Sequence, residues 1–222
     1  MIGIKTSLLS FTMMSALALL AGPAQAAVGK SSGEARTKFN DTYIGQMQEM
    51  TASYEDTLVH IGREYGVGFV EMRAANPTLD PWILGAGAHI VIPTMNILPD
   101  APHEGVVINL AEMRLYYYKS PYEAPLTFPI GIGRDGLRTP MGATTIVRKK
   151  DGPTWTPTPR MRSEDPTLPV SVPPGPENPM GTHALYLGFP TIAIHGTNKP
   201  YGIGRRVSSG CIRMFPEDIT QM

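Results

Sequence analysis

The chain has 222 residues, with 19 Lys plus Arg against 19 Asp plus Glu, so it has no net charge and no strong field to draw in a polyanion, which argues against nucleic acid as a partner. A single cysteine excludes a disulfide-stapled fold. With 23 Gly and 22 Pro the composition is that of a loop-rich folded protein stabilised by packing.

At the N-terminus, Lys5, an apolar run from Leu8 to Ala21 and "GPAQA" ending at Ala26 have the layout of a cleavable export signal. The run is shorter than the ~20 residues a membrane-spanning helix needs. Cleavage is expected after Ala26, leaving an exported chain of 196 residues with 18 cationic and 19 acidic side chains. Residues 27–49 are rich in Ser, Gly, Lys and Gln and are expected to be a linker.

"EDTLVHIGREYG" predicts a helix with Asp56 as N-cap, Leu58, Ile61 and Tyr65 on one face, and Gly66 as its stop. "FVEMRAANP" predicts a second short helix, and "AHIVIP" a strand able to pair with "MTASYE". From about His103 the period changes to two. "GVVINL", "RLYYYK", "LTFPIGIG" and "TTIVRK" are strand-like runs separated by turn residues such as "DG" and "TPMG". Nine prolines between Pro153 and Pro179 are too many for a helix or a central strand, and predict a loop covering something, or else a plain surface excursion. "HALYLG", "TIAIHG" and "GCIRM" return to strand, and "PEDIT" begins a helix with Pro216 in its first turn.

"GIGRDG" at 131–136 fits a dinucleotide-binding pattern, but no helix follows it to meet a phosphate. Ser-x-x-Lys, Gly-x-Ser-x-Gly and His-Glu-x-x-His are all missing from the sequence, so neither a penicillin-type serine enzyme nor a zinc site is indicated, and no cofactor or metal is expected. His60, His89 and His103 read as surface or packing residues, whereas His183 stays open as a candidate.

The remaining constellation is His195-Gly196 and, sixteen positions after His195, Gly210-Cys211. A thiol between "SSG" and "IR" sits in polar, cationic surroundings that favour a thiolate. If the two strand ends are neighbours, Cys211 is a nucleophile and His195 its general base and acid. Gly196 can turn its carbonyl to the other ring nitrogen. The amides around Gly210 and Cys211 can donate to an oxyanion, and Arg213, two residues past the thiol on the same strand face, can bind a carboxylate.

"IHGTNKPYGIGRRVSSGCIRM", with "INLAEMRLYYY", "RTPMG" and "HALYLG", resembles the L,D-transpeptidase catalytic domain from about Val106 onward. The resemblance implies nucleophile Cys211, proton shuttle His195, orienter Gly196, and site-lining Ser208, Ser209, Gly210 and Arg213. Ser209 replaces the histidine commoner at that place. "DTL", "YGV", "AANP" and the final "IP" of residues 50–94 resemble a LysM module, with Glu55 where that family usually has Gly. The expected architecture is mainly β: a β-sandwich-like L,D-transpeptidase catalytic domain over 103–222, after a small βααβ LysM-like module. The stop at Met222 implies a domain incomplete at its C-terminus. The implied function is a periplasmic peptidoglycan transpeptidase acting on stem peptides and glycan strands, with an anchored lipoprotein as a further acceptor. A carboxypeptidase using water, a non-catalytic wall-binding protein and a sortase-like peptidase remain as alternatives.

Overall fold

A computed structural model of the chain describes Phe39 and residues 42–222. The expected export signal, 1–26, and the first part of the expected linker lie outside the described residues. The first described elements are β1 (Tyr43–Ile44) and β2 (Met47–Thr51), which lie ahead of the expected start of the first unit, largely in the stretch expected to be linker.

Two helices follow, α1 (Leu58–Glu64) and α2 (Phe69–Ala75). The N-cap of α1 is Thr57, whose hydroxyl accepts from the His60 amide, and not the expected Asp56. Asp56 turns back instead, and its carboxylate accepts from the Ser53 amide at 2.7 Å. Gly66 lies just beyond α1 at φ 65°, where a side chain would be strained. Strand β3 (His89–Pro93) pairs antiparallel with β2 from Met47↔Pro93 to Thr51↔His89, and β4 (Asn96–Ile97) pairs with β1. Asn76 ends α2 and fastens it to β3: its amide nitrogen donates to the Met72 and Val91 carbonyls, and its oxygen accepts from the Val91 amide. This βααβ unit has a core of its own, including Leu58, Ile61, Met72, Ile90 and Ile92.

The larger part is built from β strands. β5 (Gly105–Asn109), β6 (Arg114–Tyr118) and β7 (Leu126–Pro129) form an antiparallel sheet. The run read as one strand over "LTFPIGIG" breaks at Pro129, which has no N–H to continue a ladder. β8 (Ile132–Gly133) then takes another partner. β9 (Ile146–Asp151), α3 (Pro159–Glu164), β10 (His183–Leu187) and β11 (Ala193–His195) follow. A 3₁₀ turn (Pro200–Gly202), β12 (Arg206–Ser208), β13 (Ile212–Arg213) and α4 (Pro216–Ile219) complete the elements.

The second sheet runs β13-β11-β10-β9, with β11 and β13 parallel. β12 lies parallel to β8. Leu115 and Phe128 from the first sheet meet Leu185, Ile194 and Ile212 from the second in one apolar core, which gives the sandwich-like arrangement expected. Each of these side chains contributes about 1.5–3 kcal/mol by leaving water.

The proline-rich tract is more ordered than expected. Pro159 starts a short helix, capped by the Thr158 hydroxyl. Trp155 pairs with Val172, and the buried Asn178 amide donates to the carbonyls of Pro153, Val172 and Pro173.

Candidate active site

Register sets the site. Ile194 pairs with Ile212 and His195 with Arg213 on adjacent parallel strands. Because side chains alternate, Ile194 and Ile212 enter the core, while Ala193, His195, Cys211 and Arg213 share the opposite face. That face carries a small apolar cluster of Met180, Ala184 and Ala193, with Trp155, Tyr186 and Cys211 packed on it.

His195 is buried, and its Nδ1 lies 2.5 Å from the Gly196 carbonyl oxygen. A carbonyl only accepts, so Nδ1 carries the proton and the neutral ring keeps Nε2 as the basic nitrogen. Burial drives the ring's pKa down to about 4, against smaller upward contributions from the Gly196 and Met180 carbonyls, and the nearby Arg213 charge also lowers it. The imidazole is therefore neutral at pH 7. Gly196 donates its own N–H to the His183 carbonyl, which anchors the end of β11 to β10.

The half-buried Cys211 donates its S–H to the Thr191 carbonyl at 3.5 Å. Burial pushes the thiol's pKa up, outweighing the downward pull of the Ala193 amide and Arg213. The sequence led us to expect a thiolate; the fold favours a thiol, because desolvation penalises the charged form more than the neighbouring cation stabilises it. Among the described residues there is no hydrogen bond between Cys211 and His195. Cys211 lies two residues before Arg213, the register partner of His195, so the two share one face, with the sulfur turned toward Thr191.

Ser208 secures the turn before the thiol. Its buried hydroxyl donates to the Cys211 carbonyl at 2.5 Å and accepts from the Gly210 amide at 3.2 Å. The Gly210 amide, expected as an oxyanion donor, is thus already engaged. Gly210 has φ 109°, open only to glycine, and a Cβ there would come within 3.1 Å of Ile192. Ser209 is half-buried beside it.

Arg213 exchanges both backbone bonds with Gly131, and its guanidinium Nε is buried with no partner among the described residues. An unpaired buried donor of this kind is costly unless something else fills the place. It suits a ligand carboxylate.

His183 precedes Ala184, the partner of His195, and so projects from the other face; its ring meets Thr182 and, at 3.7 Å, Asp151. His89 pairs with Glu49, His103 stacks on Tyr118, and His60 is exposed. No group of three or more His, Cys, Asp or Glu able to hold a metal occurs among the described residues. Sequence reasoning missed Thr191 and Met180, whose backbone carbonyls meet the thiol and the imidazole, because a carbonyl's direction leaves no trace in residue type.

Residues 103–222 match the YkuD family, the L,D-transpeptidase catalytic domain. Over 183 residues the chain is 49% identical to a probable L,D-transpeptidase, YbiS, of Escherichia coli K12, covering 79% of this chain and 60% of that protein. It is 46% identical to the probable L,D-transpeptidase ErfK/SrfK of the same organism, covering 79% of this chain and 59% of that protein. The chain spans about 60% of the length of the curated relatives it matches. From the match over 103–222, the chain belongs to the L,D-transpeptidase catalytic domain family.

Proposed function

We propose that this chain is a peptidoglycan L,D-transpeptidase using Cys211 as nucleophile. The observation that carries the reading is the single sheet face holding Cys211, His195 and Arg213, whose buried Nε has no partner among the described residues. Rotation about the Cys211 Cα–Cβ bond takes the sulfur from Thr191 toward His195. Nε2 removes the S–H proton as sulfur attacks the carbonyl joining the L-centre of diaminopimelate to the terminal D-alanine of a tetrapeptide stem. The tetrahedral adduct collapses with cleavage of the C–N bond. The proton on His195 passes to the leaving amine, giving free D-alanine and a thioester. A second amine, from another stem or from a lipoprotein lysine, then loses a proton to His195, attacks the thioester and releases the thiol. Arg213 holds a stem carboxylate with its planar fork.

Since thiol and imidazole both start neutral, proton transfer accompanies attack instead of preceding it. Trp155, at the base of the proline-rich tract, packs in the same cluster as the thiol and supports an amine acceptor over water. The βααβ unit fits a LysM-like grip on glycan strands, which raises the local concentration of stems. The export pattern supports a periplasmic location, and no described helix is long and apolar enough to cross a membrane.

Cys211→Ala should abolish D-alanine release from tetrapeptide muropeptides and leave glycan binding intact; unchanged release would overturn the proposal. A second reading, a wall-binding protein without catalysis, draws on the sulfur's bond to Thr191 instead of His195. A carbapenem separates the two: the enzyme gains a covalent adduct on the thiol, and the binding protein gains none.

A further inference from the structure

The βααβ unit touches the thiol-bearing stretch at two places, symmetric about Cys211. Six residues before it, the Arg205 guanidinium lies 3.5 Å from the centre of the Phe69 ring and 5.8 Å from that of Trp82, which itself stacks on Phe69. Six residues after it, the Glu217 carboxylate accepts from Nε and Nη2 of Arg63, at 2.7 and 2.8 Å.

The first contact is unusual in what it lacks. Arg205 Nε and Nη2 are buried without hydrogen-bond partners among the described residues, so the faces of the aromatic rings are what fix the guanidinium. The backbone is equally close. Gly204, at φ 71°, accepts from the Val70 amide, and a Cβ on it would fall 2.2 Å from the Phe69 nitrogen. One residue later, the Arg205 carbonyl accepts from Ile132, and β12 runs from there to Ser208, whose hydroxyl holds the Cys211 carbonyl. Phe69 therefore reaches the thiol's turn through a short, continuously bonded length of chain. The apolar core of the βααβ unit is separate from that of the sandwich, so these contacts do not simply extend one core.

We propose that Phe69 is a positioning residue for the thiol, fixing through Arg205 the approach to Cys211, while Arg63 fixes the exit through Glu217. The inference rests on the reading of Cys211 as nucleophile, and its consequence is that the βααβ unit orders the reacting group as well as any ligand it carries. Loosening the clamp frees the Ser208 turn. The sulfur then becomes more open to a small reagent but less well aimed for acylation.

The test uses the full chain and two probes of Cys211, a carbapenem followed by mass and iodoacetamide followed across pH, each well below the variant's melting temperature. Phe69→Leu keeps apolar volume but removes the ring. It should slow acylation by about threefold to tenfold, speed alkylation and shift the alkylation midpoint to lower pH. Phe69→Tyr should restore all three. Arg63→Gln, at an exposed position, should act in the same direction by a smaller factor and serves if Phe69→Leu does not fold. Alkylation rate and midpoint equal to wild type in Phe69→Leu, or in Arg63→Gln where that variant is used, would overturn the inference. Absence of a carbapenem adduct on the wild type would instead overturn the transpeptidase reading, and alkylation would still decide the coupling.

Discussion

The Thr191 carbonyl, which accepts the hydrogen bond of the Cys211 S–H, belongs to a residue whose φ is 64°, the left-handed region that a β-branched side chain rarely occupies. The strain lies in the hairpin between β10 and β11 and points a carbonyl at the sulfur. Thr191→Gly removes a conformational penalty of about 1–3 kcal/mol, offset in part by glycine's greater freedom when unfolded. A rise in stability of about 1 kcal/mol is expected from urea unfolding; a loss of that size would show that the threonine is not strained.

Buried His195 and half-buried Asp218 give stability opposite pH slopes. His195 binds protons less readily folded than unfolded, with a folded pKa of about 4. Its contribution is intact above the unfolded value of ~6.5 and is lost as pH falls toward 4, reaching about 2 kcal/mol near pH 5. Urea unfolding from pH 7 to 4.5 should show a slope in the wild type that His195→Gln lacks.

Asp218 behaves in the other sense. Burial is the main reason its pKa rises to about 7, with Glu217 adding to it, and its Oδ2 has no partner among the described residues. Its folded state favours the protonated acid, so stability is lost as pH climbs from ~4 to 7. Asp218→Asn should stabilise the chain at pH 8 by about 1–2 kcal/mol, after discounting for partial exposure, and have little effect at pH 4. Equal effects at both pH values would refute this.

Ser208→Ala removes one hydrogen bond to the Cys211 carbonyl and strips the Gly210 amide of its acceptor. The expected loss is about 1–3 kcal/mol in chemical denaturation, with carbapenem acylation slowed more than iodoacetamide alkylation. If the two rates fall equally, Ser208 acts on stability alone.

Arg114 is almost wholly buried, reaching Glu71 at 2.8 Å, the Thr127 hydroxyl and the Gly66 carbonyl. Arg114→Met leaves Glu71 without its cation and should destabilise by about 3 kcal/mol. Replacing both, as Arg114→Met with Glu71→Gln, should recover part of that loss. A double variant no better than the single one would mean that the remaining charge is not what matters.

Alternation and turn residues made most strands legible from sequence, since a sheet with one buried face imposes a period of two. β3 was readable from its apolar run and the two short helices from their 3.6-residue spacing, but β2 lies at Met47–Thr51, mostly inside the stretch expected to be linker and ahead of most of the "MTASYE" expected to pair with β3. The Thr57 cap was not, because Asp56 and Thr57 are both good caps and the choice depends on where the Ser53 amide lies. β12 went unread because "RRVSSG" is polar and its strand character comes from pairing with β8 alone. At the site, residue types indicated which groups gather. They gave no measure of burial, and burial decides that the thiol keeps its proton, that the imidazole lacks one, and that the Gly210 amide is spent on Ser208.

Asn178 closes a long excursion with one side chain, drawing Pro153 and Pro173 to the same amide. What lies between those prolines is consequently an insert on a tied neck. Apart from Trp155, which packs beside Cys211, and its bridge to Val172, its length and composition are free to drift, or to be re-engineered for a different acceptor, without passing strain to β9 or β10, provided the neck is kept.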